Sequence, residues 1–144
     1  MSRSVRWSAI VLCVVLAGCA STPPNVIGRE SQLETRQIQS RDYETLDKRM
    51  TLRSAVATLQ DLGFTIDYAD LTLGTITATR LYHHEKYVNY TMRMTVTVRK
   101  KDGSRVLVRA NARLGEQAIA DPKTYQDFFV ALDKAMFLTL HKVD

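Results

Sequence analysis

Three groups of residues have side chains able to do chemistry, and each is spaced differently. His83-His84-Glu85 concentrates two imidazoles and a carboxylate, the donor types that hold zinc. Adjacent histidines on an extended chain diverge, however, and the nearest further histidine is His141, close to the C-terminus. The cluster therefore reads as a solvated loop between strands, and no metal or other cofactor is expected. Asp61, Asp67 and Asp70 lie close in sequence, but the first falls at a helix end and the others in a strand and its turn. They read as cap and surface charges. No Gly-x-Ser-x-Gly elbow and no phosphate-cradling glycine loop occurs, so the pattern predicts a protein that is not an enzyme. The third group is basic. Arg93, Arg99, Arg105, Arg109 and Arg113 recur at even spacing in the most regular part of the chain, where alternation sends them to one side. Five guanidinium groups with no carboxylate among those positions suit a carboxylate- or phosphate-bearing ligand, held bidentately. The same face equally serves as a solubilising surface that discourages edge-to-edge aggregation.

The only two cysteines are Cys13 and Cys19. Met1–Arg6 carries Arg3 and Arg6, and Trp7–Leu16 is a mostly apolar run, long enough for a signal-peptide core and too short to span a bilayer. Leu16-Ala17-Gly18-Cys19 follows, and it resembles the lipobox of bacterial lipoproteins. That resemblance implies removal of residues 1–18, a diacylglycerol on the Cys19 sulfur and a further acyl chain, such as palmitate, on the new amine. Each buried methylene contributes about 0.8 kcal/mol, so two or three chains anchor a protein where one does not. Ala20, where an aspartate would signal retention, is similar to the pattern of outer-membrane lipoproteins facing the periplasm. Cys13 leaves with the signal, so the mature chain has no second thiol and no internal disulfide.

The 144 residues are 45% hydrophobic and 24% charged, the make-up of one ordinary folded domain. The 20 Lys and Arg against 15 Asp and Glu give +5, and losing Arg3 and Arg6 lowers this to +3. So mild an excess in an exported chain does not point to nucleic acid.

The elements that would position these groups follow from periodicity. Residues 19–35, with Pro23-Pro24, read as a lipidated N-terminus and flexible tether. A single domain then occupies 36–144. Arg36–Tyr43, with Ile38 as its one aliphatic residue, reads as a short or edge strand. Asp47 caps a helix to about Leu62, where Leu52, Ala55, Val56, Leu59 and Leu62 make one stripe and Gly63 ends it. Phe64–Ala69 and Thr75–Leu81 alternate as half-buried strands. Tyr87–Lys100 puts Val88, Tyr90, Met92, Met94, Val96 and Val98 on one face and Arg93 and Arg99 on the other. Lys101-Asp102-Gly103-Ser104 is a hairpin turn, returning through Arg105–Leu114. After a loop at Gly115–Ala120, Asp121-Pro122 opens a helix with Tyr125, Phe128, Phe129, Leu132, Ala135 and Met136 as its buried stripe. Val130 and Phe137 form a second apolar line, which either docks a partner or is covered by the tether or first strand. The order β-α-β-β-β-β-α predicts a two-layer α+β domain, an antiparallel sheet with both helices on one face.

Thr58–Asp67 (TLQDLGFTID), Leu73–Thr79 (LGTITAT) and Tyr125–Leu138 together resemble a family of small, uncharacterised bacterial lipoproteins. The likeness runs from about Ile38 to Leu140 and implies no particular reaction. More loosely, the topology is similar to the helix-grip modules in a lipoprotein of the outer-membrane β-barrel assembly machine. The expectation is a non-enzymatic periplasmic lipoprotein, tied to the membrane through Cys19, that acts as an accessory or adaptor for an envelope protein complex. The alternative is a module binding an anionic envelope ligand on its arginine face. Cys19→Ser should yield an uncut precursor without acyl mass. Mass spectrometry of the membrane and soluble fractions checks this, and cleavage at the same bond with continued membrane sedimentation contradicts it.

Overall fold

The computed structural model describes residues 29–45, 47–84 and 87–141, and the side chains of 33–45, 47–81 and 90–141 among them. Cys19, the expected signal segment and Glu85 lie outside the described residues, as do the side chains of His83 and His84.

Regular structure begins earlier than periodicity suggested. Helix α1 spans Arg29–Ile38, followed by strand β1, Ser40–Tyr43. The last part of the expected tether and the first part of the expected strand are therefore helical. The physical reason is composition: Glu30, Gln32, Leu33, Glu34, Arg36 and Gln37 are all strong helix formers, whereas only Thr35 and Ile38 are β-branched. What remains of the strand is four residues long and lies at a sheet edge, as its lone aliphatic residue implied.

Helix α2, Lys48–Asp61, starts where Asp47 Oδ1 accepts the Met50 amide at 2.8 Å, and it ends at Leu62 with Gly63 at φ +80°. Strands β2 (Thr65–Asp70), β3 (Thr75–His84), β4 (Tyr87–Lys100) and β5 (Val106–Leu114) follow. A two-residue strand β6, Gln117–Ala118, occupies part of the expected loop, and helix α3 spans Pro122–His141. All pairings are antiparallel, in the order β1-β5-β4-β3-β2, with β6 also on β5. Gly115, at φ +57°, makes the tight turn that folds β6 back, a conformation glycine adopts without a Cβ penalty.

Alternation sorts the sheet into two faces. Ile76, Ala78, Met92, Met94, Val96, Val98, Val106, Val108, Ala110 and Ala112 are buried against Leu52, Ala55 and Leu59 of α2 and Tyr125, Phe128, Phe129, Leu132 and Met136 of α3. Both long helices thus cover one face, and the other is open. The β3–β4 hairpin overruns this cover, so Tyr90, at a core-parity position, is exposed; Leu81, opposite Thr91 on the open face, is exposed as well.

Two short strands share the outer edge of β5. β1 pairs with Val106–Arg109 and β6 with Arg113–Leu114, leaving a gap between them. The gap is closed by other groups. The Ala110 amide donates to the Gln39 carbonyl, and the Ile119 amide donates to the Ala112 carbonyl. The Ala112 amide donates to the Tyr125 hydroxyl at 3.3 Å. That hydroxyl donates in turn to the Ile119 carbonyl at 2.5 Å and accepts Gln39 Nε2 at 3.1 Å. A buried polar group without a partner is costly, so one phenol satisfies β5 and ties helix α3 to both edge strands. Tyr125→Phe should keep the fold and lower the unfolding free energy by about 1–3 kcal/mol, the cost of leaving such groups dry. Urea denaturation checks this, and an unchanged midpoint contradicts it.

Candidate functional site

The open face is arranged by the β4–β5 register. Arg93 stands opposite Arg113, Thr95 opposite Asn111, Thr97 opposite Arg109 and Arg99 opposite Leu107. Four of the five predicted arginines therefore do share this face, on the two inner strands, while Arg105 lies just before β5 in the hairpin turn.

The face is less purely basic than spacing alone implied, because neighbouring elements contribute carboxylates. Asp102 turns the hairpin, accepting the Ser104 and Arg105 amides at 3.0 Å each. Its other oxygen receives Arg105 Nε at 2.9 Å and Nη2 at 2.7 Å. Asp42, on β1, pairs with Lys101 at 2.5 Å and lies 3.6 Å from Arg105. Arg113 donates to the Glu116 carbonyl at 2.7 Å and sits 3.5 Å from its carboxylate. Arg109 Nε donates to Ser40 Oγ at 3.2 Å. Among the described residues, only Arg93 and Arg99 of the five have no hydrogen-bond or ion-pair partner. The basic site thus narrows from five arginines to these two, with Arg113 and Arg109 as neighbours.

At the far edge the same face turns acidic. Asp67, at a bulge between Ile66 and Tyr68, accepts the Thr79 hydroxyl at 2.9 Å. Asp70 accepts the Thr72 and Leu73 amides at 2.7 and 2.8 Å and the Tyr68 hydroxyl at 3.0 Å. The Leu73 amide above all lowers the Asp70 carboxyl from its ordinary value, and the bond to Asp70 raises the Tyr68 phenol. Both aspartates serve as turn and surface charges, as read from the sequence.

The second candidate surface is on helix α3. Val130 is 66% exposed and Phe137 is 57% exposed, while the helix's other large apolar residues up to Met136 are buried. Between them Asp133 latches the first strand: it accepts the Tyr43 hydroxyl at 2.7 Å and pairs with Arg41, whose guanidinium lies 4.9 Å from the Phe129 ring centre. Burial first, then the bond to Asp133, pushes the Tyr43 phenol well above its ordinary range. The first strand reaches α3 here and stops, so it does not cover the apolar line. Phe137 stacks on His141, ring centres 4.1 Å apart.

A third feature escaped the periodicity reading. Arg80 is on the core-facing parity of β3, two residues beyond Ala78, and it is half-buried rather than solvated. Its guanidinium donates to the Leu62 carbonyl at 2.7 Å and lies 4.9 Å from the Phe64 ring centre. The signal was available: a lone charge at a core position of an alternating strand. No protein-family model matches the chain, and no curated protein matches it.

The Asp102 turn makes a pH-dependent prediction. Its carboxyl is held at about 2 against an ordinary 3.8, first by the Arg105 side chain and next by the Ser104 amide. A folded value below the unfolded one means the contribution is complete above pH 3.8 and is lost as pH falls through 2. Urea midpoints of the parent and Asp102→Asn should therefore converge on titration from about pH 6 to about pH 2. A gap that stays constant across that range contradicts the assignment.

Proposed function

We propose that the protein is a non-enzymatic lipoprotein, anchored through Cys19 at the periplasmic face of the outer membrane, that serves as an accessory or adaptor for an envelope protein complex. The anchor rests on the basic start, the apolar run and the Leu16–Cys19 spacing. Docking rests on one observation: Val130 and Phe137, two turns apart, stay exposed on a helix whose other apolar face is packed. An apolar line on one side of a helix is what a groove on a partner reads.

Chain length bears on the kind of partner. Cys19 and Arg29 are ten residues apart, and ten extended residues reach at most about 35 Å. An anchored domain thus starts within that distance of the bilayer. The occupant we assign to the Val130–Phe137 line is therefore a membrane-embedded or membrane-attached envelope protein that presents an apolar groove.

A second reading is supported by the Arg93–Arg113 pairing. Like charges directly opposite on neighbouring strands repel, and a carboxylate or phosphate between them removes the repulsion. On this reading the open face binds an anionic envelope ligand such as peptidoglycan, lipopolysaccharide or an acidic peptide.

One experiment separates the two. A photo-crosslinker placed at Gln126, on the exposed side of α3, is activated in intact cells and the adduct is identified. Under the adaptor reading, Val130→Glu and Phe137→Glu abolish the adduct, while Arg93→Glu and Arg109→Glu leave it. An adduct that survives Val130→Glu and Phe137→Glu rejects the docking line, and a second crosslinker at the exposed Asn111, on the opposite face of the sheet, whose adduct is lost in Arg93→Glu, supports the arginine face. Exposed substitutions usually change stability by no more than about 0.5 kcal/mol, so a lost adduct reports binding and not unfolding.

A further inference from the structure

The core is not filled to its end. Where the sheet meets the start of α3 there is a cavity of about 520 Å³, open to solvent along one side. Small-molecule pockets occupy about 300–1,000 Å³. Phe64, Met92, Met94, Leu114, Ile119 and Phe128 give it an apolar wall, and the charged groups around it are Arg80, Asp121, Lys123 and Asp127.

Three of those four charges are already engaged. Lys123 Nζ pairs with Asp127 at 2.6 Å. Asp121 accepts the Lys123 amide at 3.1 Å and the Thr124 hydroxyl at 3.4 Å, as the cap of α3. Arg80 differs. It has no carboxylate partner among the described residues, and its contacts are the Leu62 carbonyl, the Phe64 ring and Met92 Sδ at 4.0 Å. A guanidinium has five N–H donors, so about three are left facing the cavity side or solvent. A cation half-withdrawn from water calls for an anion, and the wall beside it calls for hydrocarbon.

We infer that this cavity binds a fatty acid of medium chain length, its carboxylate on Arg80 and its hydrocarbon chain along the Met92–Met94 wall. The charge count selects a monoanion. Among the described residues lining the cavity, only Arg80 is a cation without a carboxylate partner, and Asp121 and Asp127 repel a doubly charged phosphate monoester more than a monoanion. The wall selects a flexible chain, because methionine side chains reshape around their neighbours more readily than branched ones. This site is on the helix-covered side of the sheet, separate from the arginine face, and it does not depend on whether Cys19 carries lipid.

The test uses the full chain in lipid nanodiscs, labelled with ¹³C at its methionine methyl groups. It is titrated with decanoate, decanol, decyl phosphate and acetate, and empty nanodiscs supply the partition baseline. Decanoate should shift the Met92 and Met94 methyl signals saturably and leave Met50 unmoved. Acetate should have no effect, and decanol and decyl phosphate should bind at least tenfold more weakly. Arg80→Gln should weaken decanoate at least tenfold, about 1.4 kcal/mol, and leave decanol as it was, with Arg80→Lys in between. Ile119→Trp, which obstructs part of the cavity and keeps Arg80, should weaken decanoate at least tenfold. Equal affinity for decanoate and decanol, tighter binding of decyl phosphate, or undiminished binding to Ile119→Trp overturns the inference. Should Arg80→Gln not fold, the ligand series and Ile119→Trp still decide it.

Discussion

A buried phenol must find partners for its oxygen, and the way Tyr125 does so organises the whole edge of the sheet. The ring is fully enclosed by the core, which fixes the first turns of α3 over β5. Its hydroxyl then occupies a place in the ladder that no strand fills, taking the Ala112 amide and giving its proton to Ile119. Because β1 and β6 are too short to meet, β5 would otherwise present an unpaired donor in the middle of its outer edge. The bond from Gln39 extends the same network to the junction of α1 and β1. Packing and hydrogen bonding thus act through one side chain, and both edge strands take their positions relative to α3 from it.

Polar latches on the two sides of the sheet have different consequences. On the helix side, Asp133 draws Arg41 and Tyr43 together and closes β1 over Phe129. On the open side, Asp42 and Asp102 gather Lys101 and Arg105 at the hairpin end. These exposed pairs are individually weak, since solvent screens them. Their larger effect is on the pattern of charge. They neutralise one corner of the arginine face and leave Arg93 and Arg99 as its active cations, while Asp67 and Asp70 make the opposite edge acidic. The open face is a gradient across five strands and not a uniform basic patch.

The long alternating strands and the two amphipathic helices were legible because each has a periodicity that only one arrangement can bury. Asp47, Gly63 and Asp102-Gly103 marked their boundaries by local chemistry that needs no tertiary context. Other features carried no such signature. α1 has few apolar residues, and its helical propensity was outweighed by the polar, proline-bearing stretch before it. β6 is two residues long, below the length at which alternation can be recognised. The site was less legible than the fold, for a physical reason. Parity placed Arg93, Arg99, Arg109 and Arg113 on one face, but Ser40 engages Arg109 and Glu116 engages Arg113, just as Asp42 and Asp102 engage Arg105. All four lie on another strand or in turns, and only register and turn geometry bring them near. Arg80 was hidden by the opposite assumption, that a charge in an alternating strand faces water.

The bulge at Asp67 has a consequence for how copies of the protein meet. β2 is the outermost strand on its side, with its outward amides and carbonyls free of the ladder. A regular strand there would offer evenly spaced donors and acceptors to an identical strand, and sheets could grow from molecule to molecule. The extra residue breaks that spacing midway, after Ile66, and turns a carboxylate toward the open face. A second molecule can match the register for only a few residues before it fails. The irregularity thus disfavours edge-to-edge pairing between copies of the domain.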